Sequence, residues 1–121
     1  MSARVRILSN VTQDDLPAIY QGSSLFVYPS FFEGFGIPIL ESFACACPLV
    51  CSNTSSLPEI AGNAAQYFDP YSKESMYNAI SEVLNDKNLS STLVKKGKER
   101  LKLFSWKKTA IETKKIYESV L

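Results

Sequence analysis

Tyr28-Pro29-Ser30-Phe31-Phe32-Glu33-Gly34-Phe35-Gly36-Ile37-Pro38-Ile39-Leu40-Glu41 is the stretch on which the fold turns. It reads as the end of a strand, a turn with two glycines and the first turns of a helix entered through Pro38. In open α/β sheets the crevice beyond the strand ends is where ligands bind. Glycine lets the backbone approach a ligand closely, and the start of a helix offers N–H groups carrying positive partial charge. Together these make an anion site suited to a phosphate or diphosphate. Glu33 in the turn and Glu41 about one turn into the helix bracket that site. A carboxylate is a strong acceptor for the vicinal hydroxyls of a ribose or hexose ring. The pair therefore suits a nucleotide diphosphate sugar. Each part also has a plainer reading: Glu33 as a solvated loop residue, Glu41 as a helix-start carboxylate facing the dipole, Phe35 folded onto the core, and glycines serving only the turn.

Outward from this stretch the pattern alternates between short apolar runs and helical periodicity. Val5 to Leu8 is a candidate strand. Thr12 is placed to cap a helix with Leu16, Ile19 and Tyr20 inward, Pro17 in its first turns and Gly22 past its end. Leu25 to Tyr28 reads as a strand covered on both faces. The helix after the glycine turn would bury Ile39, Leu40, Phe43 and Ala44, and Pro48 to Cys51 is a second covered strand. Ser56-Leu57-Pro58-Glu59 has the spacing of a capping box and predicts a short helix ended near Gly62. Gln66 to Phe68 is a last short strand. From Ser72 the sequence is helical, with stripes at Met76, Ile80, Val83 and Leu84, then at Leu89, Leu93 and Leu101. A third stripe holds Trp106, Ala110, Ile116, Tyr117, Val120 and Leu121, with Ser105 as its cap.

Strand, helix, strand, glycine turn, helix, strand predicts a Rossmann-like parallel sheet with flanking crossover helices. The whole chain, residues 1–121, is expected to be a single partial domain, helical from about residue 72. Such sheets commonly have more than the about four strands found here, so the chain is expected to be the C-terminal part of a longer doubly wound domain.

With 45% hydrophobic and 21% charged residues the composition is that of a globular protein. There is no histidine, which excludes Ser-His and Cys-His nucleophile pairs and a histidine zinc site. Cys45, Cys47 and Cys51 lie close together in an apolar stretch and read as free thiols behaving as small hydrophobes in a reducing compartment. No metal or other cofactor is expected. A net charge of +1 gives no case for nucleic acid, but it is unevenly distributed. Residues 1–94 hold four basic and nine acidic residues, whereas residues 95–121 hold nine basic and three acidic. That cationic tail suits a peripheral contact with an anionic membrane or a partner domain, or is the solvated face of two helices. The N-terminus lacks a signal-peptide pattern and no apolar run reaches the ~20 residues of a membrane span, so a cytoplasmic protein is expected.

The stretch from Pro29 to Glu41 resembles the hallmark of retaining glycosyltransferases of the GT-B fold, in the group usually called family 4. Pro-Ser, two residues, Glu-Gly-Phe-Gly, then Pro and Leu-Glu match that pattern position by position. The similarity extends through Asp15-Leu16-Pro17, Tyr20, Ala44-Cys45, Pro48, Ser56-Leu57-Pro58-Glu59, Ala64-Ala65, Asp69-Pro70 and Phe104-Ser105-Trp106.

The resemblance implies that Glu41 binds the ribose hydroxyls of a donor nucleotide and that Glu33 contacts the donor sugar near the reacting centre. It implies that the amides of Gly34, Phe35, Gly36 and Ile37 hold sugar and phosphates, that Leu40 neighbours the nucleoside, and that Asn10-Val11 borders the base. Two departures stand out. Ala46 occupies a position where the family commonly has glycine, at a cost of about 1 kcal/mol if that residue is left-handed. The family's Arg/Lys pair that clamps the leaving diphosphate lies upstream, and neither Arg4 nor Arg6 has the context to be assigned that role. The N-terminal acceptor domain is missing from this sequence, so the chain is expected to be inactive alone. The rival readings are a glycoside hydrolase using Glu33 and Glu41 as an acid/base pair, and a nucleotide-binding fragment without transfer activity.

Overall fold

The computed structural model describes residues 4–121. Its order is α1 (Leu16–Gln21), β1 (Phe26–Tyr28), α2 (Ile37–Ala44), β2 (Leu49–Ser52), α3 (Leu57–Ala61), β3 (Ala65–Phe68), α4 (Lys73–Asn85), α5 (Lys87–Leu101) and α6 (Trp106–Ser119). The strands form one parallel sheet in the order β1-β2-β3, with Val27 opposite Val50 and Val50 opposite Gln66. This is the expected α/β architecture: a parallel sheet joined by helical crossovers.

The central strand shows why both faces must be covered. Side chains alternate along a strand. Leu49 and Cys51 belong to a core with Ile39, Phe43, Leu57 and Ile60 from α2 and α3. Val50 belongs to a second core with Phe68, Ala79, Val83 and Leu93, built largely by α4 and α5. Leu49 and Val50 have no exposed surface, and burying each contributes roughly 1.5–3 kcal/mol. Cys47 and Cys51 are free and buried among these residues. Burial pushes the Cys51 thiol up to about 12 and, with a smaller push from Cys45, the Cys47 thiol to about 11. Both stay protonated and inert, as packing residues should.

Helices α2 and α5 approach closely because Gly97 faces Phe43. A Cβ on Gly97 would lie 2.6 Å from Phe43 Cδ1. The Arg100 side chain, one turn further on, donates from Nε to the Ile60 carbonyl at 2.9 Å and from Nη2 to that of Glu59. It thereby satisfies carbonyls in the last turn of α3, which short helices otherwise leave open.

Several local expectations are corrected. Val5 to Leu8 is not a strand but irregular and exposed. A strand exists through its ladder, and among the described residues no neighbour pairs with this segment. Helix α1 begins at Leu16 with Asp15 as its N-cap. Thr12 instead holds the preceding turn, its hydroxyl donating to Asp15 Oδ2 at 2.7 Å. In α2 the fully buried polar residue is Ser42, whose hydroxyl bonds the Ile39 carbonyl at 2.8 Å, while Ala44 is exposed. Leu84 is also exposed. Ser105 does cap α6, accepting from Lys108 N, and Ser72, where the helical pattern starts, caps α4, accepting from Ser75 N. The apolar stripe of α6 forms as patterned, yet it buries nothing: Trp106, Ile116, Tyr117 and Val120 are all exposed.

Ala46, in the turn between α2 and β2, has φ 55°. Its side chain is exposed, so only the left-handed backbone opposes it. Ala46→Gly is expected to raise stability by about 1 kcal/mol, read as a higher urea midpoint at unchanged m value. An unchanged or lower midpoint would show that the turn carries no such strain.

Candidate functional site

The C-terminal ends of three parallel strands, Tyr28, Ser52 and Phe68, lie along one edge of the sheet. The turns that leave them build the site. After β1 the chain passes through residues 29–36 and enters α2 at Gly36, the N-cap, with φ 100° and ψ 52°. Pro38 has no N–H, and the Ile39 amide donates to the Gly36 carbonyl at 3.0 Å. The amides of Gly36 and Ile37 make no backbone hydrogen bond to another described residue outside α2. Gly36 is itself buried and Ile37 exposed; unpaired amides at a helix start are the kind of group an anion can meet.

Glu33 is half-buried in the turn. Its Oε1 accepts from the Ser30 hydroxyl at 2.7 Å. That bond first, and the Tyr28 phenol second, hold the Glu33 carboxyl below the usual carboxylate value. Glu33 is therefore an anion at neutral pH. Glu41 is half-buried on the second turn of α2, and its Oε2 accepts from the Tyr20 hydroxyl at 3.0 Å. The Tyr28 phenol is raised by burial first, then by Glu33, with a smaller contribution from the Glu41 charge. One phenol thus feels both carboxylates, Glu33 more strongly.

The remaining predicted residues fall around this pair. Gly34 is exposed, and a Cβ there would touch nothing within 4 Å. Phe35 is partly exposed and meets Phe104 edge-on, with ring centroids 5.9 Å apart. Ile37 is exposed, whereas Leu40 packs against the α2–α3 core. Asn10 has φ 60° and Val11 is exposed; both precede the turn into α1. Gln13 and Leu16, a little further along, line a small cavity of about 180 Å³ together with Pro17, Tyr20, Glu41 and Ala44.

Sequence reasoning missed the residues that fix the turn. Thr54, Ser55 and Ser56, which follow β2, bond into residues 30–35. The Glu33 amide donates to Ser55 Oγ at 3.0 Å, and the Thr54 hydroxyl donates to the Phe31 carbonyl at 3.1 Å. The Ser56 hydroxyl lies 2.9 Å from the carbonyls of both Glu33 and Phe35. Ser56 was expected to close a capping box with Glu59; its side chain makes no such cap and is spent on the glycine turn. The hydroxyl run Thr54-Ser55-Ser56 was the available signal.

A larger hollow of about 640 Å³ is lined by Asn78, Ser81, Glu82, Asn85 and Asp86. It sits where α4 ends, and α4 runs back from the end of β3, so it lies toward the opposite edge of the sheet. Among the described residues no group of three or more His, Cys, Asp or Glu is placed to hold a metal ion. No helix among them is long and apolar enough to cross a membrane.

Comparison with known proteins gives concordant results. The family described as glycosyl transferases group 1 matches residues 1–100. O-antigen chain mannosyltransferase B of Escherichia coli is 40% identical over 114 residues, covering 94% of this chain and 30% of that protein. An MMP alpha-(1->4)-mannosyltransferase of Mycolicibacterium hassiacum is 26% identical over 121 residues, covering 97% of this chain and 29% of that one. Among solved structures, the sucrose-phosphate synthase of Thermosynechococcus elongatus superposes with a TM-score of 0.86 at 28% identity, over 97% of this chain and 30% of its own. The chain thus spans under a third of the length of each of these relatives.

Proposed function

The chain belongs to the group 1 glycosyl transferase family, and from that premise we propose that it is the donor-binding part of a retaining, family 4 glycosyltransferase. The reading is that a hexose moves from a nucleotide diphosphate sugar to a hydroxyl of a saccharide or lipid-linked acceptor. The mannosyltransferases among its relatives favour mannose as that hexose and polysaccharide assembly as the setting. The observation that carries the proposal is the turn from Glu33 to Gly36 at a strand C-terminus, opening onto the start of α2 with Glu41 one turn behind.

In this reading the Gly36 and Ile37 amides hold the diphosphate, Glu33 meets the sugar, and Glu41 accepts from the ribose diol. As the glycosidic bond breaks, positive charge grows on the sugar and negative charge on the diphosphate. Donors fixed in advance at the helix start stabilise the second, and the Glu33 carboxylate stabilises the first. Neither step calls on histidine, and the sequence has none. Glu33 acts by position and charge rather than as a nucleophile. Acceptor binding lies outside this part, so the isolated chain binds donor without turning it over.

Titration calorimetry of the chain with nucleoside diphosphates, paired with a transfer assay using GDP-mannose and UDP-glucose on the full-length protein, tests this. The expected result is saturable diphosphate binding by the chain and nucleotide-sugar-dependent transfer, with retained anomeric configuration, by the full-length protein alone. Release of free sugar from an aryl glycoside without any nucleotide donor would favour the hydrolase reading instead.

A further inference from the structure

We propose that Tyr20 is a positioning residue for Glu41, fixing which carboxylate oxygen is offered to the ligand. The inference rests on the reading that Glu41 accepts from a ribose diol. A glutamate side chain has three rotatable bonds and would sweep a wide arc if only its stem were held. Here Oε2 is already engaged by the Tyr20 hydroxyl at 3.0 Å, which leaves Oε1 as the oxygen open to another donor.

Tyr20 is itself a rigid post. It is the one buried residue of α1, and its ring stands edge-on to Phe26 of β1 at 5.2 Å with an interplanar angle of 87°. Phe26 in turn stacks on Tyr28 at 5.6 Å. The bond therefore links α1, the edge strand and α2 across 21 positions of sequence.

The setting strengthens the bond. Leu16, Pro17 and Ala44 put apolar groups beside the hydroxyl and the carboxylate in the small cavity between α1 and α2. A hydrogen bond to an ionised group gains strength where water competes less. Burial first, and the Glu41 hydrogen bond second, raise the Tyr20 phenol well above its ordinary value. The hydroxyl thus keeps its proton, and stays a donor, across the pH range in which proteins work.

Kinetics on the full-length protein test the role, with donor nucleotides carrying ribose and 2′-deoxyribose compared in the parent, Tyr20→Phe, Glu41→Ala and the double variant. Tyr20→Phe keeps the ring and its contact with Phe26. It is expected to raise the KM of the ribose donor about 5- to 10-fold, the factor that one lost hydrogen bond gives. The expected kcat stays within about twofold, since the diol is remote from the bond that breaks. The deoxyribose donor should be nearly indifferent, and Tyr20→Phe should add nothing further on the Glu41→Ala background.

Equal KM increases for both donors, a fall in kcat instead of a rise in KM, or full additivity with Glu41→Ala would overturn the proposal. If Glu41→Ala itself leaves the preference for ribose intact, the diol reading fails first and Tyr20 loses its role with it. If Glu41→Ala abolishes that preference while Tyr20→Phe retains it, the diol reading stands and only the positioning role is lost.

Discussion

Glu33→Gln in the full-length protein is expected to lower kcat by about 100-fold or more while changing donor KM by less than about threefold. The substitution is nearly isosteric and keeps an oxygen for the Ser30 hydroxyl, which bonds Glu33 Oε1 at 2.7 Å. What it removes is the charge. Ser30 and Tyr28 both favour the ionised form, so the parent presents a carboxylate at neutral pH. A fixed anion stabilises a transition state only to the extent that positive charge has grown beside it, which is why the loss belongs in kcat. The sign of the pH dependence follows. The carboxyl of Glu33 lies below its ordinary value, so activity persists as pH falls past the usual carboxylate range and is lost only through that lowered pKa. Ser30→Ala removes the largest cause and should move the acid limb of kcat to higher pH. Turnover unaltered in Glu33→Gln would refute the assignment outright, and an acid limb unmoved in Ser30→Ala would detach that limb from Glu33.

What was legible in the sequence was local. The run Leu49-Val50-Cys51 admits no solvent-facing alternation, and β2 is indeed buried on both faces. Ser105 precedes helical periodicity by one residue, which is the geometry of a cap. The positive φ of Ala46 is legible only through the resemblance, which puts glycine at that position. What was not legible depends on partners distant in sequence. Ser56 has the spacing of a capping box with Glu59, but two carbonyls more than 20 positions upstream take its hydroxyl. The Tyr20–Glu41 bond has the same character. Val5 to Leu8 has strand composition, and composition does not supply a neighbour to pair with. The α6 stripe shows the other side of this limit: periodicity identifies an apolar face, while what such a face packs against is not written in its period.

The two glycines of the turn should respond oppositely to alanine, because the fold needs one and leaves the other free. Gly36 has φ 100°, where an L side chain is strained, and a Cβ would stand 2.9 Å from Leu57 Cδ2 and 3.3 Å from Ile39 Cδ1. Backbone strain of about 1–2 kcal/mol and overpacking of about 1–3 kcal/mol together put Gly36→Ala roughly 3 kcal/mol below the parent in urea denaturation. Leu57 and Ile39 are both fully buried, so neither can yield cheaply. Gly34 is outside the positive-φ set among the described residues, and its Cβ would meet nothing within 4 Å. Gly34→Ala should therefore change stability by less than about 0.5 kcal/mol. Folding gives no reason for glycine at residue 34. The proposed function does, because a methyl group there would stand between the turn backbone and a donor lying against it. Gly34→Ala is accordingly expected to weaken diphosphate-sugar binding about 10-fold by calorimetry at unchanged stability, the loss that one displaced backbone contact produces. Undiminished affinity in Gly34→Ala would mean that the donor does not lie on this turn. Parent-like stability in Gly36→Ala would mean that α2 is not entered through the left-handed residue on which the proposed anion site depends.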